Sequence, residues 1–304
     1  MKSDYIWMNG KLVPFAEAQV HVLAPGLHYG LGVFEGIRCY DTQQGPAVFR
    51  LFEHIERFED SALALGLMEM PYSVDALVTA VKQTIRANGF RSCYIRPLLY
   101  MASGPLALNL DAQQAGVSIS AWEWASLLGD EGVQNGVRLM VSSFTRLHPN
   151  VNLTKAKISG NYVNSAIAKT LAVRHGFDEA VMLDTNGLVA ECSGENLFLV
   201  RKGKIYTPST ATILEGFTRD TLITLACDAG IEVIEGPISR DQLYIADEIF
   251  VCGTAAEVVP VTEVDFRKTG TGKIGPITSQ LQQAFQSVIR GESSRSNEWL
   301  DPVN

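Results

Sequence analysis

The sequence predicts an α+β fold of two domains. Predicted strands come in runs with helices between them, not in the strict strand–helix alternation of a parallel α/β sheet. The chain has 304 residues, 46% of them hydrophobic, which is enough for two ordinary cores. The polar stretch Leu128-Gly129-Asp130-Glu131-Gly132 reads as a connection after which the pattern restarts. The expected division is therefore a small N-terminal α+β domain over 1–126, a linker over 127–133 and a larger domain over 134–304. A cleft between two such domains is a usual place for a small-molecule site.

The elements follow from local chemistry. Tyr5 to Pro14 reads as a hairpin turning at Asn9-Gly10. Val33 to Tyr40 and Ala47 to Arg50 read as strands around the polar turn Asp41 to Gly45. Phe52, Ile55, Phe58, Ala62 and Leu65 recur at a helical period over Leu51 to Leu67. A second helix is predicted over Ser73 to Asn88, with Ser73 as N-cap and Gly89 just past its end. Cys93 to Met101 and Val117 to Trp124 read as strands. Beyond the linker come a strand over Val137 to Ser142 and a helix over Asn161 to His175, stopped by Gly176. Glu179 to Leu183 and Leu188 to Ala190 flank the turn Asp184 to Gly187. Asn196 to Val200 and Lys204 to Tyr206 form a hairpin. Phe217 to Asp228 is a helix, and Ile231 to Ile234, Glu248 to Cys252 and Glu257 to Val264 are strands. Ile277 to Ile289 is a last amphipathic helix, and the polar tail from Gly291 to Asn304 is expected on the surface.

The formal net charge of −8 argues against nucleic acid or an anionic membrane as the main partner, while leaving room for a local basic pocket. Five widely spaced cysteines with no CxxC pair make zinc and a disulfide framework poor readings. The five histidines show no metal-ligand spacing, and no metal is expected. There is no apolar run of membrane-span length, and the opening residues lack a signal-peptide core. A soluble cytoplasmic protein is the expectation.

Two stretches carry chemistry. The first is Thr154-Lys155-Ala156-Lys157-Ile158-Ser159-Gly160-Asn161-Tyr162 and the second is Glu191-Cys192-Ser193-Gly194-Glu195-Asn196. A lysine amine can form a Schiff base with a carbonyl cofactor. A carboxylate can keep the ring nitrogen of pyridoxal phosphate (PLP) protonated. On spacing alone the better reading of Lys155 and Lys157 is solvated surface lysines, and of Glu191 a solvated or capping residue, with Glu195 supporting the turn. Leu214 to Asp220 opens a helix whose Phe217 and Thr218 N–H groups suit an anion. Taken alone, an ordinary helix start capped by Thr218 is the better reading. Cys252-Gly253-Thr254-Ala255-Ala256 is a second anion cradle. Arg57 either reaches such an anion or pairs with Glu53. Gly270-Thr271-Gly272-Lys273-Ile274-Gly275 is not a phosphate loop, because Ile274 stands where the magnesium-binding hydroxyl belongs. No nucleophile elbow or dinucleotide fingerprint is present.

Taken in order, the blocks carry more than each does alone. They are Leu27-His28-Tyr29-Gly30, Val33-Phe34-Glu35-Gly36-Ile37-Arg38-Cys39-Tyr40, Tyr94-Ile95-Arg96-Pro97, Lys157 with Gly160-Asn161-Tyr162, Gly194-Glu195-Asn196-Leu197-Phe198, Gly216-Phe217-Thr218-Arg219-Asp220 and Gly253-Thr254-Ala255-Ala256-Glu257. With them the chain resembles the branched-chain-amino-acid aminotransferases, members of the class-IV (fold-type IV) PLP transaminases, nearly end to end. The resemblance implies a two-domain D-amino-acid-aminotransferase-like fold with its site in the interdomain cleft. It implies transamination between leucine, isoleucine or valine and 2-oxoglutarate, by a ping-pong route through pyridoxamine phosphate.

The resemblance also assigns roles. Lys157 would hold PLP and shuttle the proton, Glu191 would meet the pyridine nitrogen and Tyr162 the phenolic oxygen. Arg57, the Phe217 and Thr218 amides and Thr254 would bind phosphate. The Thr254-Ala255 amides and Tyr94 would meet the substrate carboxylate. Tyr29, Phe34, Gly36, Trp124 and Tyr162 would enclose an apolar side chain. Arg96 would meet the distal carboxylate of glutamate, with Arg38 ordering its neighbours. Leu106 and Leu108 match positions that the family lends to a neighbouring subunit, so a homodimer at least is implied, with amino acids and 2-oxo acids as its small-molecule partners. Leu127 departs from the pattern, standing where a tyrosine hydroxyl would help hold glutamate, and one such bond to a charge is worth about 1.5–3 kcal/mol. Asn109-Leu110 replaces the usual Asn-Pro. The rivals are a D-amino-acid aminotransferase or aminodeoxychorismate lyase of the same fold, and a non-catalytic binding protein. The Phe34 to Arg38 block and the Tyr94 and Arg96 pair argue against the first two, and the Lys157, Glu191 and Arg57 set argues against the third.

Overall fold

The computed structural model describes residues 3–124 and 127–304. The chain forms two compact units, one of Met1–Trp124, Ala156–Gly160 and Val288–Asn304 and the other of Ala125–Lys155 and Asn161–Ser287. This differs from the division expected from sequence. The residues around Lys157 and the C-terminal end cluster with the first unit, through long-range pairings that linear composition does not register. The boundary placed at residue 126 lies outside the described residues. The stretch read as a linker carries a short helix, Gly129–Asn135.

The first unit opens with strands β1 (Tyr5–Met8) and β2 (Lys11–Pro14), helix α1 (Pro25–Tyr29) and strands β3 (Gly32–Phe34), β4 (Ile37–Thr42) and β5 (Gly45–Phe49). Helices α2 (Leu51–Leu65) and α3 (Val74–Ala87) and strands β6 (Cys93–Ser103) and β7 (Gln114–Trp122) follow. Ser73 accepts the Ala76 N–H as N-cap of α3, as its position predicts. The predicted strand Val33 to Tyr40 is two strands. It breaks at Glu35-Gly36, where the Glu35 side chain is wholly buried.

The second unit holds α4 (Gly129–Asn135), β8 (Val137–Val141), α5 (Tyr162–Arg174), β9 (Glu179–Leu183), β10 (Val189–Cys192), β11 (Asn196–Arg201) and β12 (Lys204–Thr207). It continues with α6 (Phe217–Asp228), β13 (Val233–Glu235), α7 (Arg240–Tyr244), β14 (Glu248–Gly253), β15 (Glu257–Val264) and β16 (Arg267–Lys268). Its mixed sheet runs β10-β9-β8-β15-β14-β11-β12-β13, with β16 paired to β15. Parallel pairs join β8 to both β9 and β15, and β12 to β13. Its core is a Val/Ile/Leu cluster including Leu139, Val181, Leu197, Val251 and Val259. Helix α8 (Pro276–Ile289) starts on the buried carboxylate of Glu248, which accepts the Ile277 and Thr278 N–H groups. That carboxylate fills the helix start beyond Gly275, so the glycine-rich turn before it offers no phosphate seat.

The chain ends with α9 (Ser296–Trp299) and β17 (Leu300–Pro302), which close the first sheet in the order β17-β5-β4-β6-β7-β1-β2, with β3 on β6. Helices α2 and α3 cover one face of this sheet over Trp7, Ile37, Ile55, Phe58, Val81, Ile95 and Leu99. Arg96 alternates to the opposite face from Ile95.

The surface tail expected over Gly291 to Asn304 is thus corrected. Trp299 and Val303 are buried, and β17 pairs antiparallel with β5. Lys82 reaches Asp301 at 2.6 Å, and Arg86 donates to the Val303 carbonyl at 2.5 Å. Average polarity hid two widely spaced apolar anchors. The short helices α1 and α7 also went unread, since five residues are too few for a periodic signal. Trp299→Ala should cost about 3–5 kcal/mol, as expected for a large buried aromatic. Urea unfolding would check this, and an unshifted midpoint would return the tail to the surface.

Candidate active site

In the first unit, helix α2 presents His54, Arg57 and Ser61, spaced three and four residues apart and so on one face. Arg57 donates from Nε to Glu35 Oε1 at 2.7 Å and from Nη2 to Oε2 at 2.9 Å. His54 Nδ1 lies 2.8 Å from Oε2, and the Gly36 N–H donates to the same oxygen at 3.2 Å. Burial pushes the Glu35 carboxyl up, but the Arg57 charge and the His54 contact overcome this and hold it far below the usual range. Burial likewise pulls His54 down, partly offset by Glu35, so the imidazole is neutral and donates. The alternative partner for Arg57, Glu53, instead pairs with Arg50.

The same helix face fixes Lys157. Its N–H donates to Ser61 Oγ at 3.0 Å and its carbonyl accepts the Phe34 N–H at 3.0 Å. The next residue, Ile158, bridges to Val33. The half-buried Lys157 amine sits 5.2 Å from the centre of the Phe34 ring. Lys155 is exposed and its amine pairs with Glu215 and the Thr210 carbonyl. It lies in a bend.

Phe34 also carries the Arg96 guanidinium, 4.6 Å above its ring. Arg96 donates to Tyr94 Oη at 3.2 Å, its Nε is buried with no acceptor, and no carboxylate among the described residues pairs with it. Tyr94 packs on Trp124 at 4.6 Å, and a Cβ at Gly36 would come within 2.1 Å of its hydroxyl. Glycine is therefore demanded at 36. Arg38 is buried and donates to the Trp124 carbonyl at 3.0 Å. Tyr29 donates to the Leu106 carbonyl at 3.2 Å, and Leu106 and Leu108 are exposed.

In the second unit Glu191 lies on β10, buried. Arg146 Nε stands 2.5 Å from Oε1. The Asn196 amide and the Leu214 N–H each donate to Oε2 at 3.3 Å. Gly216 is the N-cap of α6, which has no side-chain cap, so Thr218 does not cap it. A Cβ at Gly216 would come within 2.1 Å of Asn196 Oδ1, so glycine is needed to let Asn196 turn its amide to Glu191. Phe217 and Thr218 are the first two residues of α6, and Tyr162 is the half-buried first residue of α5. Thr254 and Ala255 form the tight turn between β14 and β15, and the Leu127 N–H donates to the Ala255 carbonyl at 2.9 Å. The Leu127 side chain is exposed.

Sequence reasoning did not single out Glu35, His54, Ser61, Arg146 or Asn196. The spacing 54, 57, 61 was the available signal for the α2 row. Arg146 lies outside regular structure and gave none. Glu195, read as a turn support, is a buried acid beside Glu179. Burial first, then the Glu179 charge, push its carboxyl up to about 8.

Residues 32–264 match the family model described as amino-transferase class IV. The chain belongs to the class-IV aminotransferases. It is 46% identical over 298 residues to the branched-chain-amino-acid aminotransferase of Pseudomonas aeruginosa, covering 98% of this chain and 97% of that one. The crystal structure of the Escherichia coli branched-chain amino acid aminotransferase superposes with a TM-score of 0.97 at 45% identity, over 100% of both chains. The T.th. branched-chain amino acid aminotransferase with pyridoxamine 5'-phosphate superposes at 0.96 with 50% identity, again over 100% of both.

Each unit carries groups of the kinds that a phosphorylated pyridine aldehyde needs: in the first, a lysine amine on a fixed backbone and a guanidinium; in the second, a buried carboxylate and a helix start with no side-chain cap. Among the described residues there is no group suited to hold a metal ion, and no helix is long and apolar enough to cross a membrane.

Glu195 yields a prediction. Its folded pKa, about 8, lies above the unfolded carboxylate value of 4.5. Its contribution is intact below pH 4.5 and is lost as pH rises toward 8, where ionisation favours the unfolded chain. Glu195→Gln should flatten the fall in unfolding midpoint across that window. Parallel pH profiles for both proteins would refute it.

Proposed function

We propose that this chain is a branched-chain-amino-acid aminotransferase that moves the amino group between L-leucine, L-isoleucine or L-valine and 2-oxoglutarate. PLP is its cofactor. The observation that carries the reading is Arg96: a guanidinium lying on the Phe34 ring, with a buried N–H lacking an acceptor. An apolar wall with one such cation takes an aliphatic side chain or a distal carboxylate in turn, without leaving either a charge or an oily chain badly solvated.

Lys157 would hold the cofactor, Glu191 its ring nitrogen and Tyr162 its phenolic oxygen. Arg57, the Phe217 and Thr218 amides and Thr254 would hold the phosphate. Bound there, PLP supplies an electron sink that lets the substrate Cα release its proton. The chain's own groups do the rest. The Lys157 amine takes that proton and returns it, kept in reach by the Ser61 and Phe34 backbone bonds. Glu191 is held in place by the Arg146 guanidinium that faces it and by the Asn196 and Leu214 N–H groups that donate to it. Tyr94 and the Thr254-Ala255 turn orient the substrate carboxylate. Phe34, Gly36, Tyr29 and Trp124 exclude water around an aliphatic chain, and Arg38 braces Trp124. A cytoplasmic homodimer is part of this reading, with exposed Leu106 and Leu108 reaching a second copy.

The purified protein should turn over L-leucine with 2-oxoglutarate, and Lys157→Ala should abolish both turnover and the visible cofactor band. Activity on D-alanine alone, or a colourless protein in excess PLP, would overturn the assignment. Leu127→Tyr restores a hydroxyl that could meet a distal carboxylate. It should lower KM for 2-oxoglutarate roughly tenfold, the worth of one charged hydrogen bond, and leave KM for leucine unchanged. Equal changes for both substrates would place residue 127 away from the distal carboxylate.

A further inference from the structure

We propose that Glu35 is a positioning residue that ties the phosphate-binding arginine to the wall of the substrate pocket, so that cofactor and substrate affinities fall together when its carboxylate is lost. The inference rests on the reading of Arg57 and Lys157 given above.

Glu35 has no exposed surface, yet its carboxylate is fully answered: two bonds from Arg57, one from His54 and one from the Gly36 N–H. Arg57 is oriented by the paired bonds of its Nε and Nη2 edge, which fix the guanidinium plane as a single bond would not. His54, neutral, closes the other side of the carboxylate. The main chain of Glu35 is tied as well, its N–H donating to the Pro97 carbonyl at 3.0 Å. Its two neighbours in sequence are the pocket-wall residues. Phe34 carries Arg96 and faces the Lys157 amine, and Gly36 abuts the Tyr94 hydroxyl. One carboxylate thus holds the α2 face that bears Arg57 and Ser61 against the corner Phe34-Glu35-Gly36. A bond that served only to staple α2 to the sheet would not need two parallel donors from one arginine.

The test uses apoprotein titrated with PLP, read by absorbance and by the 31P shift of the bound phosphate, and then steady-state kinetics at saturating PLP. Glu35→Gln removes the charge but keeps the size. It should weaken PLP binding roughly tenfold or more, shift the 31P signal and raise KM for leucine several-fold, as for a lost charge-assisted pair. Glu35→Asp keeps the buried guanidinium compensated, so it should fold even if Glu35→Gln does not. It should show an intermediate loss. The pair Glu35→Gln and Arg57→Gln should combine less than additively in PLP affinity. Val81→Ala, a core change in the same unit, should lower the melting temperature and leave PLP affinity and the 31P shift as in wild type.

The inference is overturned if the Glu35 variants lose melting temperature as Val81→Ala does while keeping wild-type PLP affinity and 31P shift. It is also overturned if PLP affinity falls with KM untouched, which would confine Glu35 to the phosphate side. Failure of the wild-type protein to bind PLP at all would instead sink the functional reading beneath it.

Discussion

A carboxylate with no exposure survives ionised only if cations and donors surround it, and Glu35 meets that condition through Arg57 and His54. The rest of the first unit's active face is organised by this contact. It orients Arg57 and sets helix α2 against the broken strand, and α2 then offers Ser61 to the Lys157 backbone. Removing one partner of such a pair leaves an uncompensated buried charge, a change worth about 3–5 kcal/mol in comparable cases. The second unit solves a similar problem differently. There Asn196 is the joint: it donates to Glu191 and to the Leu214 carbonyl, and it fits only because residue 216 is glycine. In each unit one polar hub ties a group proposed to meet the phosphate to a group proposed for the chemistry.

Glu35 and Glu195 show how far environment decides acidity. Both are buried, and burial alone would neutralise either. Glu35 has a guanidinium on its carboxylate and is held low. Glu195 is pushed up to about 8, by burial first and then by the neighbouring acid Glu179, which Lys169 and the Gly194 N–H offset only in part. The nearby cation, Lys169, is engaged at 2.6 Å by Glu179. The Glu191 charge, four positions before it, adds to the same upward push on Glu195.

Much of this was legible in the chain. The Asn9-Gly10 turn, the Ser73 cap and the Phe217–Asp228 helix carry local signals, and the structure has each of them. The motif blocks supplied the lysine, the carboxylate and the pocket wall that are proposed for the site. The C-terminal strand, the break at Glu35 and the membership of the Lys157 segment in the first unit were not legible, because each depends on a partner distant in sequence. Trp299 is buried by packing on Phe49 and by the Arg50 backbone, and nothing near residue 299 announces that. Arg146 was missed for the same reason: its meaning lies wholly in Glu191, 45 positions on.

Lys157 is the residue through which the chain would hold its cofactor. Holoprotein reduced with borohydride and digested should yield one phosphopyridoxyl peptide, modified at Lys157 and not at the neighbouring Lys155. A label on Lys155, on another lysine, or on none would contradict it.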